Sequence, residues 1–106
     1  MPKYMINATY SEDGVKGLLK EGGTARRDAF AELCAELGGE LEACYYTFGE
    51  GDGYVIVDLP DSLTMTALSL TVNASGAGRV SCTELVTPEE LDAAAAKSID
   101  YRPPTP

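Results

Sequence analysis

Residues 48–61 read Phe48-Gly49-Glu50-Gly51-Asp52-Gly53-Tyr54-Val55-Ile56-Val57-Asp58-Leu59-Pro60-Asp61. Three glycines within five positions predict a tight hairpin turn, and the apolar run from Tyr54 to Leu59 predicts a strand. This run shows little alternation of polar and apolar residues, which is typical of a strand buried on both faces. A single helical layer covers only one face of a sheet. We therefore expect the second face of this sheet to be buried by another surface.

The residues before the hairpin predict two strands and two helices. Residues 3–10 alternate and predict the first strand; one face carries Tyr4, Ile6, Ala8 and Tyr10, and the other carries Met5, Asn7 and Thr9. Ser11 is expected to cap a short helix, and Thr24 is expected to cap a longer helix that ends near Leu37. Residues 40–48 predict the second strand, with Leu41, Ala43 and Tyr45 on one face and Glu42, Cys44 and Tyr46 on the other.

The residues after the hairpin predict a helix, a strand and a further helix. Asp61 or Ser62 is expected to cap a helix from about residue 63 to 75, which is apolar on two opposite sides and is therefore expected to be buried on both. Residues 79–86 predict the fourth strand. Thr87, Pro88 and Glu90 predict the start of a last helix that runs to about Lys97, through a capping box and an N-terminal proline. The prolines of residues 101–106 predict an extended tail.

This order of elements predicts an α+β fold. A β-α-β-β-α-β chain with an extra C-terminal helix forms a ferredoxin-like domain, in which helices cover one face of an antiparallel four-stranded sheet. The 106 residues are expected to form one domain, 1–106. Stacking the open faces of two copies would bury large side chains, so we expect a homodimer or higher oligomer of the dimeric α+β barrel type. The alternative is that the C-terminal segment folds back over part of the open face.

Composition limits the classes of partner and site. Seventeen acidic and eight basic residues give a net charge of −9, so we expect neither a nucleic-acid nor a membrane partner. The sequence shows no signal peptide, and a cytoplasmic location is expected. Histidine is absent, which excludes a Ser-His-Asp triad and histidine-ligated zinc or haem. Cys34, Cys44 and Cys82 are expected to be reduced core residues, and no metal or cofactor is expected.

Arg26 is the strongest candidate for binding an anion. It lies on the same helical stripe as Phe30 and Leu33, and it follows a glycine pair at the start of a helix, where free N–H groups favour anions. Together with Arg27 and Lys20 it could hold a carboxylate or phosphate group. The alternative is that Arg26 lays its stem over the edge of the core and pairs with Glu21, Glu32 or a strand acid.

Strand tyrosines are the second candidate feature. Tyr45 and Tyr46, with Tyr4, Tyr10 and Tyr54, could line a pocket between sheet and helices, or they could fill barrel ends and interfaces. Asn7 is a polar residue inside a strand and is the remaining candidate for ligand binding. Glu50 and Asp52 lie in one turn and are interpreted as a solvated hairpin tip rather than as a metal site.

The chain resembles the GYD domain family of small ferredoxin-like proteins. The resemblance covers nearly the whole chain and depends on Gly49 and Asp52 and on the segments 2–4, 12–18, 24–27, 38–39, 42–46, 55–57 and 60–61. The hairpin motif of the family is glycine, any residue, tyrosine, aspartate; Gly49 and Asp52 match it, and Gly51 stands where tyrosine is typical. The resemblance implies an architecture similar to dimeric α+β barrels and does not imply a biochemical role.

Two functions remain open. The first is a non-catalytic oligomeric domain that binds a small anionic or aromatic ligand or acts through assembly. The second is a cofactor-independent enzyme of the dimeric α+β barrel type, similar to a monooxygenase or isomerase. A closed pocket that holds Arg26 and a tyrosine would favour the enzyme, and a region filled by core side chains would favour the non-catalytic domain.

Overall fold

The computed structural model describes residues 1–47, 49 and 51–106. Within them the elements are β1 (Lys3–Tyr10), α1 (Glu12–Glu21), α2 (Gly23–Glu36), β2 (Glu40–Tyr46), β3 (Gly53–Asp58), α3 (Ser62–Ala74), β4 (Gly78–Leu85) and α4 (Pro88–Ala95). The strands form an antiparallel sheet in the order β2-β3-β1-β4. The predicted α+β, ferredoxin-like fold is confirmed. Phe48 and Glu50, which the predictions included in β2 and the hairpin, lie outside the described residues.

The core lies between one face of the sheet, called here the inner face, and the helices α2 and α3. Its buried side chains are Tyr4, Ile6, Cys34, Val57, Leu59, Met65 and Leu68, and Phe30, Leu33, Leu37, Leu41, Val55, Val72 and Val80 pack against them. Removing a large apolar side chain from water contributes about 1.5–3 kcal/mol. The alternation predicted for β1 is confirmed, since Tyr4 and Ile6 are buried on the inner face.

A β-bulge in β2 corrects the predicted faces of that strand. Leu41 pairs with Val57 and Ala43 with Ile56, so that two residues of β2 oppose one residue of β3. The extra residue reverses the alternation beyond it. Leu41, Cys44 and Tyr46 therefore share the inner face, whereas the sequence pattern had placed Leu41 opposite the other two.

The two helices after β1 begin differently from each other. Ser11 caps α1 as predicted, and its side-chain oxygen accepts a hydrogen bond from the Gly14 N–H at 3.1 Å. The cap predicted at Thr24 is wrong. Gly22, at φ 91°, is the N-cap of α2 and ends α1 at the same time, so Thr24 already lies inside the helix. Because Gly22 has a positive φ, it turns the chain sharply, and no other residue separates the two helices to provide a side-chain cap.

α3 is buried on one side only in the single chain. Asp61 caps it as predicted, accepting from the Thr64 N–H at 2.8 Å. Met65 and Leu68 are buried against the sheet, while Leu63 and Leu70 on the opposite side are largely exposed. The predicted burial of both sides is therefore wrong for one protomer.

The second face of the sheet, called here the outer face, is apolar at its centre. Met5, Tyr54 and Ile56 lie there half-buried, next to the exposed Tyr45. At one end of the face the Lys3 ammonium pairs with Glu42 and with Asp58 at 2.9 Å. β4 contributes a more polar border of Arg79, Ser81 and Thr83.

Residues 86–106, called here the C-terminal arm, do not fold back over the outer face. The capping box of α4 is confirmed, because Thr87 and Glu90 bond each other's backbone N–H groups at 3.0 and 3.1 Å. All residues from 88 to 106 are exposed. The radius of gyration is 16.8 Å, against about 13 Å for a compact domain of this length.

The cysteines only partly follow the prediction. All three are free thiols. Cys34 is buried in the core and Cys44 is half-buried, but Cys82 is exposed, so its predicted core position is wrong. Among the described residues there is no helix with both the length and the apolar character needed to cross a membrane.

Candidate functional site

A cavity of about 270 Å³ lies between the inner face of the sheet and the helices α2 and α3. Its walls are mainly apolar and come from the sheet and both helices: Ile6, Ala8, Phe30, Val55, Val72 and Val80. Gly53 and Gly78 also line it, and a Cβ atom at Gly78 would lie only 2.4 Å from the Thr9 carbonyl oxygen. An apolar cavity with a few polar groups is the usual form of a small-molecule site.

Two arginines near the start of α2, Arg26 and Arg27, line the same cavity. The Arg26 guanidinium lies 3.5 Å from a Glu21 carboxylate oxygen, and the Arg27 guanidinium lies 3.1 Å from Asp28. The pairing of Arg26 with Glu21 is one of the alternatives that the sequence left open. Both pairs are about half exposed, and such pairs contribute only about 0–1 kcal/mol. An anionic ligand can therefore compete for either guanidinium.

Tyr46 reaches the cavity from β2 and packs on the start of α2. A Cβ atom at Gly23 would lie 3.2 Å from the Tyr46 ring, and the Tyr46 hydroxyl donates to the Gly23 carbonyl at 3.4 Å. Burial raises the pKa of Tyr46 to about 12; the neighbouring Tyr10 and Cys44 add to this rise, and the Arg26 charge opposes it. The phenol is therefore protonated at neutral pH and can donate a hydrogen bond.

Cys44 lines the cavity beside Tyr46 because of the bulge in β2. Burial raises the pKa of its thiol, while the Arg27 charge and a hydrogen bond with Tyr46 act in the opposite direction. With its pKa raised above the usual value near 8.5, the thiol is also protonated at neutral pH. A thiol in this state is a poor nucleophile.

The structure brings four of the five candidate ligand-binding residues to this cavity and leaves one elsewhere. Arg26, Arg27, Tyr45 and Tyr46 line it, although the register pairs Tyr45 with Tyr54 on the outer face. Asn7 lies on the outer face and is not in the lining; its side-chain amide sits over Gly51. Asn7 is therefore not among the residues that line this cavity, and its role in ligand binding stays a prediction.

Sequence reasoning missed Cys44 and Arg79 as lining residues. The alternation of β2 predicted Cys44 on the face opposite Leu41. Only a sequence signal for the bulge could have predicted that both residues share the inner face. Arg79 borders the cavity at the start of β4, although the register pairs it with Thr9 on the outer face. The glycine before it, which opens the strand, was the available signal. No interpretation of the sequence used it.

Asp52 has a structural role that the sequence did not predict. Its side-chain oxygen accepts a hydrogen bond from the Tyr10 N–H at 2.8 Å, which ties the end of β1 to the hairpin beside the cavity. The interpretation of Asp52 as part of a solvated tip is therefore wrong, since the residue is half-buried and hydrogen-bonded. Among the residues that the structure describes, no three His, Cys, Asp or Glu side chains are grouped to hold a metal ion.

Residues 4–95 match the GYD domain. The chain belongs to the GYD domain family. The match covers all four strands, the three helices before the last strand and α4. It confirms the family that the sequence motifs suggested. No curated protein and no solved structure matches this GYD protein.

Proposed function

We propose that this GYD protein is a homo-oligomeric, non-catalytic domain that binds a small anionic ligand with an aromatic or apolar body. One observation carries the proposal: an apolar cavity of about 270 Å³ has Arg26 and Arg27 in its lining. The apolar walls suit a ring or short hydrocarbon, and a guanidinium suits a carboxylate or a similar oxyanion. The volume is close to the lower end of the range for small-molecule sites.

The protonation states in the cavity support binding rather than catalysis. The pKa values of Cys44 and Tyr46 are both raised by burial, so neither group is an anion at neutral pH. The protonated groups can donate hydrogen bonds to a ligand oxyanion but cannot serve as a nucleophile or base in those forms. The chain also has no histidine for general base catalysis.

The oligomer is supported by the outer face of the sheet. Tyr45 is exposed at its edge, and the half-buried Met5 and Ile56 have no covering helix among the described elements. Stacking this face on the same face of a second copy would remove these side chains from water. Sedimentation velocity at micromolar concentration should therefore show a dimer or a higher oligomer, and a monomer at every concentration would refute this part of the proposal.

A cofactor-independent enzyme is the second candidate, and one observation favours it. Core side chains do not fill the region between the helices and the sheet, and the cavity that remains is lined by Arg26 and Tyr46. The cavity is not closed, since its arginines and Tyr46 are exposed to solvent. A closed pocket with Arg26 and a tyrosine would favour catalysis. This cavity has both residues but is open, so the binding function is preferred.

The binding proposal is tested with benzoate as an anionic aromatic probe and benzyl alcohol as its neutral counterpart. Amide chemical shifts are followed while each probe is added to the wild type and to three variants: Arg26→Ala, Ala8→Leu and Arg102→Ala. We expect Arg26→Ala to weaken benzoate binding about tenfold, because a hydrogen bond to a charged group is lost. Benzyl alcohol should be affected much less.

The other two variants separate the cavity from charge in general. Ala8→Leu fills space in the cavity lining and should reduce the binding of both probes. Arg102→Ala removes an exposed arginine from the tail and should leave both unchanged. Equal binding of benzoate and benzyl alcohol, or full benzoate binding by Ala8→Leu, would contradict the proposal. Native mass spectrometry of the freshly purified protein would reveal a retained ligand together with the stoichiometry.

A further inference from the structure

The apolar side chains of the C-terminal arm are largely exposed in the single chain. Val86, Leu91, Ile99 and Tyr101 are 62%, 60%, 80% and 73% exposed. Scattered single apolar residues on a surface need no explanation. These four lie within one segment of 21 residues, in which every residue from 88 onward is exposed. The segment thus carries apolar side chains without a core of its own to receive them.

The helix of the arm needs a packing partner to be stable. α4 has eight residues, whereas isolated helices shorter than about 12–15 residues are marginal in water. Its capping box satisfies two N-terminal N–H groups but does not bury any apolar surface. Tertiary packing against a surface outside the protomer would supply the missing stabilisation.

The arm leaves the domain at the rim of the outer face. Leu85, the last residue of β4, pairs with Lys3 at the start of β1. The pKa of Glu90 is lowered mainly by hydrogen bonds from Thr87, and the positive charges of the N-terminus and Lys3 lower it further. The beginning of α4 therefore lies near the charged end of the outer face. The longest dimension of the molecule is 54 Å, about twice the length of an eight-residue strand.

We propose that residues 86–106 form an exchange arm, which packs on a second copy of this chain. This inference depends on the proposed oligomer and adds the segment that contacts the partner copy. When two outer faces stack, each arm begins at the rim of the shared interface and continues beside the other copy. A closed twofold dimer would hold two such arms symmetrically.

The area needed for a stable dimer supports this role for the arm. A sheet of four strands spaced about 4.8 Å apart, each about seven residues long, has a flat footprint of about 450 Å², and the relief of its side chains makes the accessible area larger. A standard interface takes about 800 Å² of accessible surface from each partner. The outer face also has a polar border of Ser81 and Thr83 along β4. An arm that contributes Leu91, Ile99 and Tyr101 extends the interface with apolar surface toward the usual size.

The test uses the full chain with the double substitution Leu91→Glu and Ile99→Glu. Sedimentation equilibrium should show a dimer dissociation constant raised about tenfold or more, because two side chains that the proposal buries would become charged. Leu19→Glu is the control, because Leu19 is apolar and, at 81%, as exposed as Ile99 but lies on α1, outside the arm. The control should leave the dissociation constant unchanged.

A second measurement on the wild type detects the exchange directly. Protein labelled with ¹³C is mixed with unlabelled protein, and isotope-filtered NMR is used to find cross-peaks between the Ile99 methyl groups of one copy and protons of the other. The proposal expects such cross-peaks. Their absence in a sample that is dimeric, or a dissociation constant unchanged by the double substitution, would overturn the arm while leaving the sheet-mediated oligomer intact. A wild type that is monomeric at every concentration would overturn both.

Discussion

Asp52 shows how one motif residue of the GYD family supports the fold beside the cavity. Its backbone N–H donates to the Ala8 carbonyl at 2.9 Å, and its own carbonyl accepts from the Thr47 N–H at 3.0 Å. Its side-chain oxygen accepts from the Tyr10 N–H at 2.8 Å. The bonds to Ala8 and Tyr10 join the end of β1 to the hairpin, and the bond from Thr47 closes the hairpin itself. The residue therefore fixes the strand ends from which Ala8 and Tyr10 line the cavity.

Removing the Asp52 carboxylate should destabilise the protein. Asp52→Ala leaves the Tyr10 N–H without its partner, and an unsatisfied half-buried N–H costs about 1–3 kcal/mol. Urea unfolding followed by circular dichroism measures the loss. Asp52→Asn keeps an acceptor oxygen at the same position and should recover most of the stability. An Asp52→Asn variant as unstable as Asp52→Ala would show that the negative charge, rather than the hydrogen bond, is required.

Gly51 explains, at the same scale, why this chain departs from the family motif. Its backbone φ is 74°, in the left-handed region that glycine adopts most readily. A Cβ atom there would lie 2.6 Å from the Asn7 side-chain nitrogen. A tyrosine at this position would need both a strained backbone and a displaced Asn7. Asn7 thus packs against the hairpin on the outer face of the sheet, whereas the cavity lies on the inner face.

At the scale of elements, the order of helices and strands could be predicted because periodicity and caps are local. The alternation in β1, the Ser11 cap and the capping box at Thr87 are each contained within a few residues. The bulge in β2 could not be predicted, because it depends on which β3 residue stands opposite Ala43. Cys44 and Tyr46 enter the candidate site through this long-range pairing. Arg26 was predictable because helical spacing places it on the same stripe as Phe30, and Arg27 was predicted only as its neighbour in the chain.

α3 provides a test of which helix side forms the core. Leu68 is buried and Leu70 is largely exposed on the same helix. Leu68→Ala should lower the free energy of unfolding by about 2–5 kcal/mol, because it leaves a cavity in the core. Leu70→Ala should change it by less than about 0.5 kcal/mol. Chemical denaturation of both variants at low protein concentration measures the difference.

The reverse result for α3 would have a definite meaning. A loss of stability for Leu70→Ala comparable to that for Leu68→Ala would indicate that the outer side of α3 is also covered. Because the single chain leaves that side exposed, the cover would have to come from another copy. The interface would then include α3 as well as the outer face of the sheet.

At the scale of the whole molecule, net charge and exposed apolar surface have opposite effects on association. The elongated chain, with its 54 Å axis and exposed arm, presents apolar surface that favours association. Each copy also carries a net charge of −9, so two copies repel each other. Hydrophobic burial must exceed this repulsion for the oligomer to form. The balance depends on ionic strength, because salt screens the repulsion and leaves the apolar contribution nearly unchanged.

Added sodium chloride should therefore tighten the oligomer. The Debye length falls from about 30 Å at 0.01 M salt to about 8 Å at 0.15 M, so most of the repulsion between copies is screened in this range. Sedimentation equilibrium at the two concentrations should give a lower dissociation constant at 0.15 M. Replacing Glu89 and Asp92 of the arm by Gln and Asn should reduce the salt effect, since it removes two negative charges from each copy. A dissociation constant that rises with salt would instead show that ion pairs between the copies hold the interface, and the apolar outer face and arm would no longer account for association.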